Sequence, residues 1–478
     1  MSRPNIVVFI PDQLRADALG CFGNPVVQTP VIDAFAASGT RFTQAFGQHP
    51  FCSQSRVAFL TGWYPHVHGH RTLTSLIKPW QPDVLGVLKA AGYHVAHVGL
   101  RGDTWAQGRT QESVSRFGWD VMPDRTWMRS PYGPDHPLGR AFYHGPRPEP
   151  VVDFDEASVQ TAERWLADGL PEPWVLYVPL VFPHPPFEVE EPYYSRHDRA
   201  SVPLPAPPQE RGEALFKAEI RRRYGTDRLG ESDWREIVAT YYGMVARIDD
   251  HFGRILGAVE RAGVEDRTAV FFFPDHGEYL GDAGLVEKWV SGMDDCLLRN
   301  PLIARIPGGP SGNVATGLTE LVDITPTLCE LAELDVPYVQ FGRSLVPLLR
   351  DGAADHRDAA FSEGGLLAAD ADHAGDHPFP YDLKHGLESD RPDLAAKVVA
   401  VRTDDWTYVQ RTVGGDELYD RRDDPTERVN LIDDPAHTAV VSDLRSRMLR
   451  WLTETSDVLP QEPDPRRDLV GASLPTKG

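Results

Sequence analysis

Four short, nearly unbroken apolar runs constrain the kind of sheet this chain can build. Residues 5–10 run into Pro11-Asp12-Gln13, and residues 93–98 into Gly99. Residues 174–181 lead to Phe182-Pro183-His184, and 268–273 to Pro274-Asp275-His276-Gly277. A strand with one wet face alternates polar and apolar residues. A run rich in β-branched and aromatic residues at nearly every position suits a parallel strand buried on both faces. Helical patterns lie between these runs, at 82–91 and in the amphipathic stretch 234–262. Strand and helix in alternation predict an α/β fold, a large doubly wound and mostly parallel sheet flanked by helices. Such sheets bind ligands beyond the carboxyl ends of their strands. Asp12, His184, Asp275 and His276 fall there.

The texture changes after about Leu349. Residues 351–393 are rich in Asp, His, Ala and Gly and read as irregular. Residues 398–402 and 407–411 read as strands joined by Thr403-Asp404-Asp405-Trp406, and 443–452 as a terminal helix. The expected division is a catalytic α/β domain over 1–349 and a smaller C-terminal α+β subdomain over 350–478, the latter with an antiparallel sheet. The stretch 122–150, rich in Pro, Gly, aromatics and His, reads as a long loop over the site mouth. The chain carries no internal repeat, Walker loop, dinucleotide glycine fingerprint or nucleophile elbow.

Charge narrows the partners. Forty-eight Lys plus Arg stand against 70 Asp plus Glu, a net charge of -22, which repels a nucleic-acid backbone. A local pocket of cations still accepts a small anion. No apolar run is long enough to span a bilayer, so no membrane partner is expected. The apolar stretch near the start is short, ends at Asp12 and lacks a small-residue cleavage site, unlike a secretory signal. Cys21, Cys52, Cys296 and Cys329 lack the paired spacing of a disulfide framework or zinc site. The expected compartment is the cytoplasm.

Four constellations carry chemistry. Asp12-Gln13 and Asp275-His276 offer the oxygen and imidazole donors that divalent cations take, although a strand-end Asp equally caps a following helix. Cys52-Ser53-Gln54-Ser55-Arg56 precedes an apolar helical run ended by Gly62. Helix dipole and Arg56 together favour an anionic Cys52, and the same place suits a bound sulfate or phosphate; a buried structural Cys is the alternative. His184 is held between prolines, as a general acid or anion ligand requires. The glycine-punctuated loop from Asp275 to Lys288 can deliver a cation to an oxyanion. Among His66, His68 and His70, His68 reads as an exposed turn, while His94 and His97 read as packing residues.

Together these segments resemble the type I sulfatase family, formylglycine-dependent members of the alkaline phosphatase superfamily. The resemblance runs from Asn5 to about Leu349, with residues 416–420 and Asn430-Leu431 matching the family's C-terminal subdomain. It implies hydrolysis of a small anionic ester, an aryl, alkyl or sugar sulfate. It implies that a maturation enzyme converts Cys52 to formylglycine, whose hydrate attacks sulfur and forms a covalent sulfo-enzyme hemiacetal. One divalent metal, calcium or manganese, is implied at Asp12, Gln13, the position of Cys52, Asp275 and His276. An oxygen-rich shell suits calcium, whereas the His ligand leans towards manganese or zinc. Arg56 and Lys288 are implied to balance charge, and His184 to contact the sulfuryl oxygens or protonate the departing alcohol. Homo-oligomerisation is left open.

Three departures from the family pattern stand out. Gln54 replaces the usual Pro of the modification motif. Leu100 and Gly102 occupy the places of a Lys and a His that bind sulfate in many sulfatases, and His70, Arg101 and Thr104 are the candidate substitutes. Asp12-Gln13 and Asp275-His276 replace Asp-Asp and Asp-Asn, and in this the chain is similar to phosphonate monoester hydrolases. A phosphonate monoester or phosphodiester hydrolase with the same nucleophile is therefore the second reading, and a non-catalytic binder of sulfated ligands the third. Tyr132, His136, Tyr143, His144 and Trp289 suit either a pocket for a sugar or aromatic ring or a packed flap.

Overall fold

The computed structural model describes residues 3–99, 103–124, 130–148, 150–353, 355–373 and 378–457. Its main sheet has nine strands. Strand Asn5–Asp12 lies at the centre, parallel to Trp174–Pro183 on one side and to Thr268–Phe272 on the other. Outwards from Trp174–Pro183 come the parallel strands His94–Val98 and Arg116–Gly118. On the other side Arg299–Arg305 pairs antiparallel with both Thr268–Phe272 and Thr40–Phe46, which breaks the parallel order.

The central strand is buried on both faces, as its unbroken apolar run predicts. Successive side chains of a strand point to opposite faces. Val7 and Phe9 accordingly enter one core, Ile6, Val8 and Ile10 the other. On the first face Phe252, from the 31-residue helix Glu231–Arg261, meets the rings of Phe9, Phe272 and Phe35, each at 5.0 Å. On the second face Phe59 and Leu60 of helix Cys52–Thr61 pack among the same strands. Helix Val84–Ala90 begins at Asp83, whose side chain accepts from the Gly86 N–H and so satisfies a first-turn donor. Helix Cys52–Thr61 ends at Gly62, which takes φ 70° and donates to the Ala58 carbonyl.

The C-terminal part carries a four-stranded antiparallel sheet. Its order is Ala360–Gly364, Val398–Arg402, Trp406–Arg411 and Glu417–Asp420. Helix Thr438–Thr455 covers it through Leu444, Met448 and Trp451, with Trp451 stacked on Phe361 at 4.8 Å. Two expectations are corrected. Residues 351–393 are not wholly irregular: Ala360–Gly364 is an edge strand and Asp382–Asp390 a helix. The strand's five residues include Ser and Gly and have weak intrinsic preference, so pairing with Val398–Arg402 decides its form. Likewise 122–150 contains helix Pro137–Arg140 and strand Tyr143–Arg147, the latter paired with Phe187–Glu190. Within it Tyr143 donates to Glu236 at 2.8 Å and His144 lies 3.0 Å from Glu188, as in a packed flap.

Candidate active site

Sheet order brings the site together. The strands ending at Asp12 and Phe272 are neighbours, so the loops after them meet beyond one edge of the sheet. Asp275 Oδ1 accepts from the backbone N–H of Gln13 at 3.2 Å and of His276 at 3.0 Å. Helix Cys52–Thr61 points its first turn at this junction. Ser55 donates to the Asp275 carbonyl at 2.6 Å. Arg56, completely buried, reaches Asp275 Oδ2 with Nε at 2.8 Å and Asp12 Oδ2 with Nη2 at 3.2 Å. Asp103 lies 3.4 Å from the same Nε. One guanidinium thus serves three carboxylates.

The donor geometry fits a cation. His276 Nδ1 lies 2.9 Å from the Gly277 carbonyl, which only accepts, so Nδ1 carries the proton and Nε2 bears the lone pair. That Nε2 is buried without a hydrogen-bond partner among the described residues. It stands 3.7 Å from Asp12 Oδ1 and 3.8 Å from Asp275 Oδ1. Donor atoms of Cys52, Asp275 and His276 lie within 4.8 Å of one another, as do those of Asp12, Cys52 and Asp103. Metal–ligand bonds of roughly 2.0–2.6 Å place ligands around one ion about 3–5 Å apart, so these sets have the spacing of a coordination shell. The Gln13 side chain turns instead to Glu278 and Lys288, bonding both.

Cys52 opens the helix and is partly buried. The expectation of a favoured thiolate is corrected here. Burial pushes its thiol up to about 12, with Asp12 adding to the effect and Lys288 opposing it, while Arg56 is held by carboxylates. Gln54 is buried and donates to the Arg71 carbonyl at 2.9 Å, tying the helix start to the following loop.

Two cations and an imidazole stand nearby. Lys288 pairs with Glu287 Oε1 at 2.8 Å and bonds Gln13. Glu287 also accepts from Lys384, which comes from the C-terminal helix Asp382–Asp390 and sits 4.2 Å from the Phe51 ring centre. The sequence reading missed Lys384 and Glu287, since nothing local marks either. His184 donates Nδ1–H to the Pro185 carbonyl at 2.7 Å and turns Nε2 towards Glu287 at 3.9 Å. Burial, reinforced by Lys288, lowers its pKa to about 4.

The substitutes proposed for the missing Lys and His are placed differently. His70 spends Nδ1 on the Ser75 carbonyl at 2.6 Å, within its own loop. Thr104 donates to Asp103 at 3.3 Å and so abuts the Arg56 cluster through that carboxylate. Leu100, Arg101 and Gly102 lie outside the described residues. Trp289 is buried and donates to the Leu394 carbonyl, so its polar edge serves packing.

Comparison with known proteins identifies the family. A sequence model of the sulfatase family matches residues 4–334. The multifunctional alkaline phosphatase superfamily protein PehA of Trinickia caryophylli is 25% identical, with 96% of each chain covered. An arylsulfatase of Clostridium perfringens is 24% identical, with 94% of each covered. Among solved structures, a phosphonate monoester hydrolase of Agrobacterium radiobacter superposes with TM-score 0.76 at 24% identity, covering 95% of this chain and 96% of that one. The match spans the strands, the Cys52 helix and the Asp275 loop alike, and the chain belongs to the sulfatase family.

Proposed function

We propose that this sulfatase-family enzyme hydrolyses a sulfate monoester at the Cys52–Asp12–Asp275–His276 cluster, after Cys52 has been converted to formylglycine. The observation that carries the reading is the convergence of Cys52, Asp275 and His276 donor atoms within 4.8 Å at the start of a helix. Asp12, Asp275, His276 and the modified side chain at 52 would hold a divalent cation. When bound, that ion supplies Lewis-acid polarisation of the ester's non-bridging oxygens, and formylglycine supplies a hydrated aldehyde as nucleophile.

The chain's own residues do the rest. Arg56 sets its positive charge against Asp12 and Asp275, offsetting the repulsion between two buried carboxylates. Lys288, aimed by Glu287 and Gln13, places an ammonium where negative charge gathers on the transferring group. His184, with Nδ1–H fixed on a carbonyl, presents an unprotonated Nε2 that takes up the proton the attacking hydroxyl gives up and hands it to the leaving oxygen. The mass of the peptide containing Cys52, from protein made in its native host, tests the reading. A shift matching thiol replaced by aldehyde is expected, and an unmodified thiol in active protein would overturn the proposed nucleophile.

The second reading, a phosphonate monoester or phosphodiester hydrolase with the same nucleophile, is favoured by one observation. Gln13 and His276 stand where many sulfatases carry Asp and Asn, and in this the chain is similar to phosphonate monoester hydrolases. Turnover of matched aryl sulfate and aryl phosphonate monoesters separates the two. A phosphonate rate ahead by orders of magnitude would move the assignment to phosphorus.

A further inference from the structure

Beside the catalytic cluster lies a cavity of about 390 Å³ that shares His184 with it. Volumes of this order hold a small organic ligand. Its walls are Trp119, Phe154, Tyr381 and the rings of Pro179 and Pro186.

The walls are set before any ligand arrives. Trp119 donates Nε1–H to Ser158 Oγ at 3.0 Å, and its ring centre lies 5.7 Å from that of Phe154. Gly99 takes φ 71°, and a Cβ there would come within 3.0 Å of the Trp119 ring, so glycine lets the indole sit against the strand end.

Two polar side chains of this cavity, Asp155 and Ser158, are already committed, and His184 keeps Nε2 at its edge. Asp155 is buried and accepts the backbone N–H groups of Val181 at 2.6 Å and Phe182 at 2.8 Å. Ser158 accepts from Trp119. Among the described residues that line the cavity there is no Lys or Arg. An anionic sugar entering here meets a buried carboxylate and, among the described residues of the wall, no Lys or Arg. A neutral sugar leaves most of its hydroxyls without partners, which costs free energy for each one desolvated. A flat apolar ring meets aromatic faces and loses nothing.

We propose that this cavity receives the leaving group of the ester and that the leaving group is an uncharged aromatic alcohol, with Trp119 and Phe154 as its specificity-determining residues. The inference rests on the hydrolase reading for the word "leaving" but not for the binding itself, and the test separates them. Binding of 2-naphthyl sulfate and of N-acetylglucosamine 6-sulfate to the Cys52→Ala protein, which lacks the nucleophile, is measured by calorimetry. Hydrolysis of both esters by the mature enzyme is measured in parallel.

The naphthyl ester is expected to bind at least tenfold tighter, and Trp119→Ala or Phe154→Leu to weaken it roughly tenfold while leaving the sugar ester's affinity unchanged. Equal or tighter binding of the sugar ester overturns the proposal, and so does naphthyl binding indifferent to both substitutions. The comparison of the two esters needs no wall variant, so a misfolded Trp119→Ala protein does not rescue a failed inference. If the mature enzyme hydrolyses the sugar sulfate in preference, the pocket assignment fails while the hydrolase reading stands. If naphthyl sulfate binds through Trp119 and Phe154 but neither ester is hydrolysed, the hydrolase reading fails and the pocket stands.

Discussion

Replacing Arg56 with Met keeps much of the side chain's length and removes its charge together with its three carboxylate contacts. Those contacts span 2.8 Å to Asp275, 3.2 Å to Asp12 and 3.4 Å to Asp103. At an effective dielectric of about 20, unit charges at such distances attract by about 5–6 kcal/mol each. Desolvation of the buried groups offsets most of that gain, and Asp103, partly open to water, contributes less. The intact cluster is therefore worth little net. Removing the cation alone is different, because the carboxylates stay buried and lose what compensated them, a loss of about 3–5 kcal/mol.

Arg56→Met is expected to lower the unfolding free energy by that amount in metal-free protein. Arg56→Lys keeps the charge without the planar fork and is expected to lose about 1.5–3 kcal/mol. Saturating manganese or calcium should narrow the gap, since a cation between Asp12 and Asp275 supplies the missing positive charge and stabilises by mass action. Urea denaturation followed by tryptophan fluorescence, with EDTA and then with metal, reads all three effects. An Arg56→Met protein within about 1 kcal/mol of wild type in EDTA would refute the reasoning.

The other expectations concern neighbouring groups. His276→Ala removes the Nε2 donor and should weaken manganese binding at least roughly 100-fold by calorimetry, ligand loss exceeding the effect of losing a supporting contact; unchanged affinity would place the ion elsewhere. Gly277→Ala puts a Cβ 1.9 Å from the Cys296 carbonyl oxygen, so the loop must shift; a stability loss of about 3 kcal/mol or more is expected in denaturation, and none would contradict the backbone path. Glu287→Gln strips the charge facing Lys288 and Lys384 and should cost about 3 kcal/mol, with Lys384→Met costing far less in that background than in wild type; additive losses in the double-mutant cycle would deny the coupling. Burial tends to raise the pKa of Glu363, but Lys397 and His66 more than offset it and hold the carboxyl well below its usual range. A depressed carboxyl contributes stability above its unfolded pKa and loses it as pH falls below about 4.3. Glu363→Gln should flatten the acid limb of stability against pH there, and an unaltered limb would show that Glu363 does not set it.

Much of the architecture was legible in local pattern, for a physical reason. Burial on both faces demands an unbroken apolar run, and 5–10, 174–181 and 268–273 carried that mark. Gly62 announced the end of the Cys52 helix because a left-handed residue is needed there. Asp12, Cys52, Arg56, Asp275, His276 and Lys288 stood out through residue chemistry at strand ends and a helix start, read together as a resemblance. Local pattern carries no information about which strands are neighbours. Only the folded sheet sets Asn5–Asp12 beside Thr268–Phe272 and so joins two loops more than 250 residues apart in sequence.

Charge assignment was equally beyond reach. A helix start and a nearby Arg favour a thiolate in isolation, but tertiary packing gives that Arg to three carboxylates and pushes the thiol up instead. Lys384 arrives from a helix in a segment that reads as irregular, and Gln13 is drawn to Glu278 and Lys288 by contacts that no spacing rule contains. The chain's own sequence thus determined the burial pattern, the element types and the reactive residues. The tertiary structure decided who pairs with whom, because a buried charge takes its character from the partners that desolvation forces on it.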